Sequence, residues 1–187
     1  MLHLGFTPLL ALVLGASLGA AFPLDALKKS CSLSKYRFIE PRELEAVENM
    51  MKQFVSNITS QSDCKCNTRL FHRKWKMAEL SVPDRVMLVE AELDLAIAML
   101  VLPAAPGFAE TRQQPLAFLT QAREDLRGCM ATEAPSHQPS GKLRHWLQKL
   151  QMAKKTESTC CLKVSAIIHL FQVLWNLQCA ALREECP

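Results

Sequence analysis

The sequence lacks the short motifs that mark the common catalytic sites. It contains no G-x-S-x-G nucleophile turn, no H-E-x-x-H zinc motif, no phosphate-binding P-loop and no dinucleotide glycine fingerprint. The histidines beyond residue 30 are scattered, and none is spaced from a second ligand-type residue as a helix-borne metal site requires. We therefore expect that the protein is not an enzyme and that it binds no metal or cofactor.

The sequence also lacks an uncharged run long enough to cross a bilayer. The run at residues 9–20, LLALVLGASLGA, has 12 residues, whereas a spanning helix needs about 20. Small residues lie at its end, Gly19 and Ala20, and Ala21 follows. This order predicts a secretory signal peptide over residues 1–21, although its first residues contain no Lys or Arg. A buried N-terminal helix is the alternative. We expect a secreted single domain over residues 22–187, without membrane insertion.

Cysteine, in contrast, is abundant. Eight cysteines lie beyond the predicted signal peptide: Cys31, Cys64, Cys66, Cys129, Cys160, Cys161, Cys179 and Cys186. An even count in a secreted chain favours disulfides over metal ligation. The adjacent Cys160 and Cys161 cannot bridge each other without strain, and Cys64 with Cys66 is nearly as cramped. These two pairs are therefore expected to bridge each other.

The remaining cysteines allow two more bridges. Cys179 and Cys186 can close a small C-terminal loop, which leaves Cys31 with Cys129. A zinc site built from the four cysteines at 64, 66, 160 and 161 is the alternative, but structural zinc sites prefer ligand pairs two to four residues apart.

Helical periodicity begins at Pro41, a residue suited to a first helical turn. The stripe that follows has apolar residues at helical spacing: Leu44, Val47, Met51, Phe54 and Ile58. Periodicity is then lost between Val55 and Leu80. A connection of this length within a compact domain is usually functional or held in place.

Three further stretches predict helices. One starts near Pro83 with Ser81 as its cap and ends at Pro103, and another opens at Pro115. The third follows Ser140 as a possible cap. Their apolar faces carry residues at helical spacing: Val86, Val89, Leu93, Ala96 and Leu100 in the first, Leu119, Ala122, Leu126 and Cys129 in the second, and Leu143, Trp146, Leu147 and Leu150 in the third.

The last predicted helix, from about Cys160 to Cys179, is apolar on nearly every side. Its polar residues form one stripe: Ser165, His169, Gln172 and Asn176. No segment alternates as a strand does. The fold class is therefore all-α, a bundle of four principal helices with additional short ones. The long connection after the first helix allows two successive helices to point the same way.

A basic cluster with interleaved aromatics lies in the long connection: Lys65, Arg69, Phe71, His72, Arg73, Lys74, Trp75 and Lys76. Such a cluster superficially resembles a nucleic-acid patch. No nucleic-acid module accompanies it, so a solvated surface is the better interpretation and we expect no nucleic-acid partner. The net charge of +4 permits weak attraction to sulfated polysaccharide.

Six segments in fixed order make the chain similar to one family. They are DCKCNTRLFHRKW (63–75), VEAELDLAIAML (89–100), QQPLAFL (113–119), GKLRHWLQKLQ (141–151), KKTES (154–158) with CL at 161–162, and HLF (169–171). The resemblance, in their order and spacing, covers almost the whole chain after residue 21. The sequence resembles the type III (lambda) interferons in an avian-like form.

The resemblance implies a disulfide-stapled helical cytokine with up-up-down-down topology that acts as a monomer. Such a cytokine binds a lambda-interferon receptor chain and recruits a second chain shared with the interleukin-10 group, which starts JAK–STAT signalling and an antiviral state. The first receptor contacts carry over to Pro41, Leu44, Trp75 and Phe171, while Ile168 stands where the family has a further aromatic.

The family's disulfides carry over to Cys31 with Cys129, Cys66 with Cys161, and Cys179 with Cys186. Cys160 is additional to the family pattern, and a fourth bridge to Cys64 is our hypothesis from the even count. Arg73 and Lys52 are expected at the rim of the receptor interface.

A second class of function stays open, a secreted helical binder of lipid or of a heparin-like polysaccharide without receptor pairing. Asn57-Ile58-Thr59 is an N-glycosylation sequon, so Asn57 is a candidate glycan site.

Overall fold

The computed structural model describes residues 31–58, 64, 66 and 69–186, and the regular elements of this part of the chain are all helical. The predicted signal peptide at residues 1–21 lies outside the described residues. The α-helices are α1 (Pro41–Ile58), α2 (Val82–Leu100), α3 (Pro106–Thr111), α4 (Gln113–Glu133), α5 (Gly141–Thr156), α6 (Thr159–Ile168) and α7 (Leu170–Leu182). Three 3₁₀ turns accompany them, Ser34–Tyr36, Met77–Glu79 and Arg183–Glu185.

Salt bridges establish that α2 and α4 are antiparallel. Arg123 of α4 contacts Asp94 at 3.3 Å, and Arg127, one turn later, contacts Glu90 at 2.8 Å, one turn earlier in α2. The residue numbers therefore run in opposite directions along the contact.

The same reasoning orients the other long helices. Asn176 of α7 binds Glu92 of α2, and the α2 residue Arg85 binds the carbonyl of Arg183 just after α7. These helices are therefore antiparallel. Ahead of α1, Tyr36 binds Asp125 of α4 at 2.7 Å. Within α1, Glu43 accepts from Gln114 near the start of α4, so α1 also opposes α4. The order up, up, down, down for α1, α2, α4 and α6–α7 follows, and the predicted all-α fold class is confirmed.

α2 is the central helix because it packs against α4, α5, α6 and α7. Its predicted stripe of five apolar residues is buried, at 0–4 % exposure: Val86, Val89, Leu93, Ala96 and Leu100. Ser81 caps it, with its Oγ accepting from the backbone N–H of Asp84 at 3.4 Å. α5 differs from the expectation, because Ser140 occupies the cap position without a side-chain cap bond. Its backbone N–H donates to the Asp84 carboxylate instead.

The prolines expected only to end α2 also begin a short helix. Pro106 occupies the first turn of α3, where its missing N–H costs nothing. Phe108 is buried there, and its ring lies 5.4 Å from the ring of Phe54 in α1. Contact with α1 therefore stabilises a turn that the sequence pattern does not indicate.

The last predicted helix is two helices, α6 and α7, which meet at an angle of 56°. At the break, Nδ1 of His169 donates to the carbonyl oxygen of Ser165 at 2.8 Å. A side chain that takes the i−4 carbonyl interrupts the helical ladder and bends the helix. None of the described helices is by itself both long and apolar enough to span a membrane. Among the described helices, only α6 and α7, taken together as a bent pair, reach the required length and apolar composition.

Four disulfides staple the bundle: Cys31–Cys129, Cys64–Cys160, Cys66–Cys161 and Cys179–Cys186. Their Cα–Cα distances of 4.5–5.9 Å lie in the normal range for disulfides. Two of them join the connection between α1 and α2 to the first turn of α6. One of these two is the bridge between Cys64 and Cys160 hypothesised from the even cysteine count.

Candidate functional site

A row of large apolar side chains lies on the outer face of α6 and α7. Ile168, Phe171 and Trp175 are 44 %, 42 % and 55 % exposed. Phe171 and Trp175, four residues apart, share one side of α7, and Ile168 is the last residue of α6, just before the bend. The intervening Leu170, Val173 and Leu174 are buried. Phe171 therefore belongs to the surface and not to the core.

Phe38 extends this row toward the start of α1. Its side chain is 84 % exposed, and it lines one shallow groove together with Trp175 and Gln178 of α7. We call Phe38, Ile168, Phe171 and Trp175 the apolar face. Exposed contiguous apolar side chains of this size are typical of a binding surface.

The connection that follows α1 is held by side chains that bind its backbone carbonyls. Trp146 of α5 donates to the carbonyl of Leu70 at 2.9 Å, and Lys149 donates to that of Arg69 at 2.8 Å. From α7, Gln172 donates to the carbonyl of Phe71 at 3.3 Å. Because these donors lie on two helices, the irregular segment 69–71 is fixed without a secondary structure of its own.

A ring stack adds a contact from the break between α6 and α7. The imidazole of His169 lies 4.6 Å from the ring of Phe71, with 8° between the ring planes. Three residues of the predicted polar stripe therefore have identified roles: His169 stacks on the connection, Gln172 binds its backbone and Asn176 binds Glu92.

A buried ion pair anchors the same connection to α2. The guanidinium of Arg73, whose side chain is 7 % exposed, binds the fully buried carboxylate of Glu92. Asn176 donates to the other carboxylate oxygen at 2.7 Å. Burial raises the pKa of Glu92, against the opposing effects of Arg73 and Asn176. The expectation that Arg73 lies at an exposed rim is wrong, because this partner holds it inside.

Trp75 is half-buried and packs against the core. The Arg73 guanidinium lies 5.2 Å from its ring centroid and 5.7 Å from that of Trp146. Arg73 therefore packs on the ring of Trp75 while it binds Glu92. Because Trp75 is half-buried, part of its side chain remains accessible.

The two α1 residues predicted at the site lie in its first turns. Pro41 is exposed, whereas Leu44 is half-buried and packs against the core. Pro41 follows Phe38 by three residues, so the start of α1 comes close to the apolar face. The predicted contacts Pro41, Leu44, Trp75 and Phe171 thus lie on three elements, and a receptor role for each stays a prediction.

The candidate glycan site Asn57 lies in the last turn of α1 and is half-buried. It lines a surface pocket with Phe54, Ala104 and Phe108. Thr59 of the sequon lies outside the described residues, so the occupancy of this site stays a prediction.

Trp175 and Phe38 are not among the site residues predicted from the sequence. For Trp175 a signal exists, since Ile168, Phe171 and Trp175 share one helical face. An almost continuously apolar helix hides that signal, because every face of it has the composition of a core. Phe38 precedes any periodic segment, and the sequence contains no indication of its exposure.

Comparison with known proteins gives consistent results. The model of the Interleukin-28A family matches residues 28–183. Chicken (Gallus gallus) interferon lambda-3 is 62 % identical over 186 residues, which cover 100 % of both chains. Human interferon lambda-1 is 29 % identical over 89 % of this chain and 84 % of its own. Mouse interferon lambda-2 is 29 % identical over 88 % of this chain and 85 % of its own.

Proposed function

The chain belongs to the type III (lambda) interferon family of cytokines, and from that membership we propose that it pairs two receptor chains at a cell surface. The first is a lambda-interferon receptor chain and the second is a chain shared with the interleukin-10 group. Pairing brings the attached kinases together and starts JAK–STAT signalling and an antiviral state. The ligand itself performs no bond chemistry.

The observation that carries this proposal is the row of exposed apolar side chains on α6 and α7. Binding energy in protein interfaces concentrates in a few aromatic and aliphatic anchors that become fully desolvated. Phe171 and Trp175 have this character, since each is about half exposed while its helix neighbours are buried. We assign the first receptor to this face, with Pro41, Leu44 and Trp75 contributing from α1 and from the connection.

The held connection supports the proposal through preorganisation. A flexible loop loses conformational freedom when it binds, and that loss reduces affinity. Here two disulfides, the bonds to carbonyls 69–71 and the Arg73–Glu92 pair fix the segment that carries Trp75. The receptor would therefore meet a surface whose shape is already set.

The test uses cells that carry both receptor chains and matched cells that lack one or the other. Purified protein should induce STAT phosphorylation in the first line and in neither of the others. Phosphorylation in a line that lacks a receptor chain would refute receptor pairing. The alternative function, a binder of lipid or polysaccharide without receptor pairing, predicts no phosphorylation in any line.

We further propose that residues 1–21 direct secretion, that the secreted chain is a monomer and that Asn57 carries a glycan. N-terminal sequencing of the secreted protein should begin at or near Phe22. Light scattering should give the mass of one chain, and removal of N-glycans should lower the mass of the protein but not that of an Asn57→Gln variant.

A further inference from the structure

The positive charge of the chain is concentrated in two segments. Residues 69–76 and helix α5 together contain nine Lys and Arg and no Asp or Glu: Arg69, Arg73, Lys74, Lys76, Lys142, Arg144, Lys149, Lys154 and Lys155. The whole chain carries only +4, so its other residues together carry −5. Such segregation produces a local positive field.

The fold places the two segments side by side. Three contacts run along α5: Lys149 to the carbonyl of Arg69, Trp146 to that of Leu70, and Lys142 to Glu79 at 2.5 Å. α5 therefore lies lengthwise against the connection. The charged residues from 142 to 155 extend about 20 Å along the helix at 1.5 Å per residue.

Most of these charges face solvent. Two of them form ion pairs, Arg73 with Glu92 and Lys142 with Glu79. The exposed side chains are Arg69, Lys74, Lys76, Arg144, Lys154 and Lys155, with the exposed His72 and His145 between them. We call this set the basic face.

The surroundings of the basic face select among polyanions. The apolar side of α5 is buried in the core through Leu143, Trp146 and Leu150, so this helix cannot insert an apolar face into a bilayer. Trp146 is buried and Trp75 half-buried, so the basic face has no fully exposed tryptophan on which nucleic-acid bases could stack. Exposed cations spread along α5 and the adjacent connection instead suit the repeated sulfate groups of a linear polysaccharide.

We propose that the basic face binds sulfated polysaccharide of the cell surface, as an interaction separate from receptor pairing. The attraction arises from charge and from release of counterions, so it weakens steeply as salt rises. The face borders the segment that carries Trp75. Polysaccharide would therefore hold the protein at the surface where its receptors lie.

The test compares two triple variants that lower the net charge equally. Lys74→Gln/Arg144→Gln/Lys155→Gln removes three charges from the basic face. The control, Arg42→Gln/Lys52→Gln/Arg127→Gln, removes three that lie elsewhere and pair with carboxylates. Binding of heparin fragments is measured at 0.05 and 0.15 M NaCl, approximate conditions chosen for the strong salt dependence. Circular dichroism verifies that both variants remain helical.

We expect the basic-face variant to lose about tenfold or more in heparin affinity, with a smaller salt slope, because fewer counterions are released. The control should stay within about threefold, and desulfated heparin should not compete. Equal losses in both variants would overturn the proposal in favour of net charge alone. Binding of phosphatidylserine vesicles or single-stranded DNA as tight as that of heparin at the same salt would also overturn it.

Discussion

The connection at residues 69–76 and the outer face of α6–α7 both depart from the usual arrangement, in which charged side chains are exposed and apolar ones are buried. The irregular connection buries a charge, since Arg73 reaches Glu92 inside the bundle. The helices, with far more apolar composition, expose Ile168, Phe171 and Trp175. The two regions touch each other through the stack of Phe71 on His169.

The two departures have different consequences for folding and for binding. A buried ion pair is a weak source of net stability, but its loss leaves one charge uncompensated, so it selects one position for the loop. Exposed apolar groups contribute little to the folded chain and gain energy only when a partner covers them. We therefore expect the buried pair to act mainly on stability and the exposed apolar side chains mainly on binding, two effects that mutations can test separately.

The largest expected effect comes from breaking the buried pair. Arg73→Ala should lower the free energy of unfolding by about 3–5 kcal/mol, because Glu92 would stay buried without its partner. Urea denaturation followed by circular dichroism measures the change. A loss below about 1 kcal/mol would contradict the burial of this pair, since surface ion pairs have values of that size.

A second variant separates the lost charge from lost packing. Adding Glu92→Gln to Arg73→Ala removes the uncompensated charge, while the amide oxygen can still accept from Asn176. The double variant should therefore be more stable than Arg73→Ala alone. If the second substitution lowers stability further, packing and not charge explains the first effect.

A smaller effect is expected where a buried carboxylate holds another irregular segment. Asp84, 1 % exposed, binds His137 at 2.8 Å and the N–H of Ser140, so it ties the loop before α5 to the start of α2. Burial alone would raise the pKa of Asp84, but the bonds from Ser140 and His137 together lower it. Asp84→Asn should cost about 1.5–3 kcal/mol, the range for hydrogen bonds to a charged group.

The pH dependence of that cost has a defined sign. A lowered pKa in the folded state means that the carboxylate contributes stability above its ordinary pKa of about 3.9. The contribution is lost as the pH falls through the folded-state value. The difference in unfolding free energy between the wild type and Asp84→Asn should therefore shrink as the pH falls below about 4. A difference that grows as the pH falls below about 4 would contradict this assignment.

The sequence predicts the helices well where local periodicity and burial coincide. The α2 stripe from Val86 to Leu100 is an example, because its spacing alone identifies the face that becomes buried. The bend at His169 could not be predicted in this way. It depends on which acceptor one imidazole binds, and composition does not determine that choice.

A binding effect without a folding effect is expected on the apolar face. Phe171→Ala should weaken affinity for the lambda-interferon receptor chain by about 1–3 kcal/mol, as an interface anchor does. Its effect on the free energy of unfolding should stay within about 0.5 kcal/mol, because the side chain is 42 % exposed. Surface plasmon resonance and urea denaturation measure the two quantities.

The matched control is Val101→Ala, an apolar residue of similar exposure, 55 %, just after α2. It should leave affinity unchanged. Unchanged affinity in Phe171→Ala would remove this residue from the interface. Equal losses in both variants would mean that general surface hydrophobicity, and not this face, determines binding.

The site was less predictable than the fold because burial of a charge depends on a distant partner. Arg73 lies in the basic, irregular connection and Lys52 on an amphipathic helix, yet the same rim position is predicted for both. The difference between them arises from Glu92, 19 residues beyond Arg73, in a helix whose apolar stripe gives no reason to expect a buried carboxylate partner.

Lys52 therefore provides the smallest and most informative contrast with Arg73. Its side chain is 68 % exposed, and it pairs with Glu48 one turn away at 2.6 Å. Lys52→Ala should change the free energy of unfolding by less than about 0.5 kcal/mol, as exposed i, i+4 pairs do. If Lys52 is a rim residue, the variant should bind the receptor more slowly at low salt while its dissociation rate stays constant. A loss of stability as large as that expected for Arg73→Ala would contradict this distinction, since an exposed and a buried cation would then contribute alike.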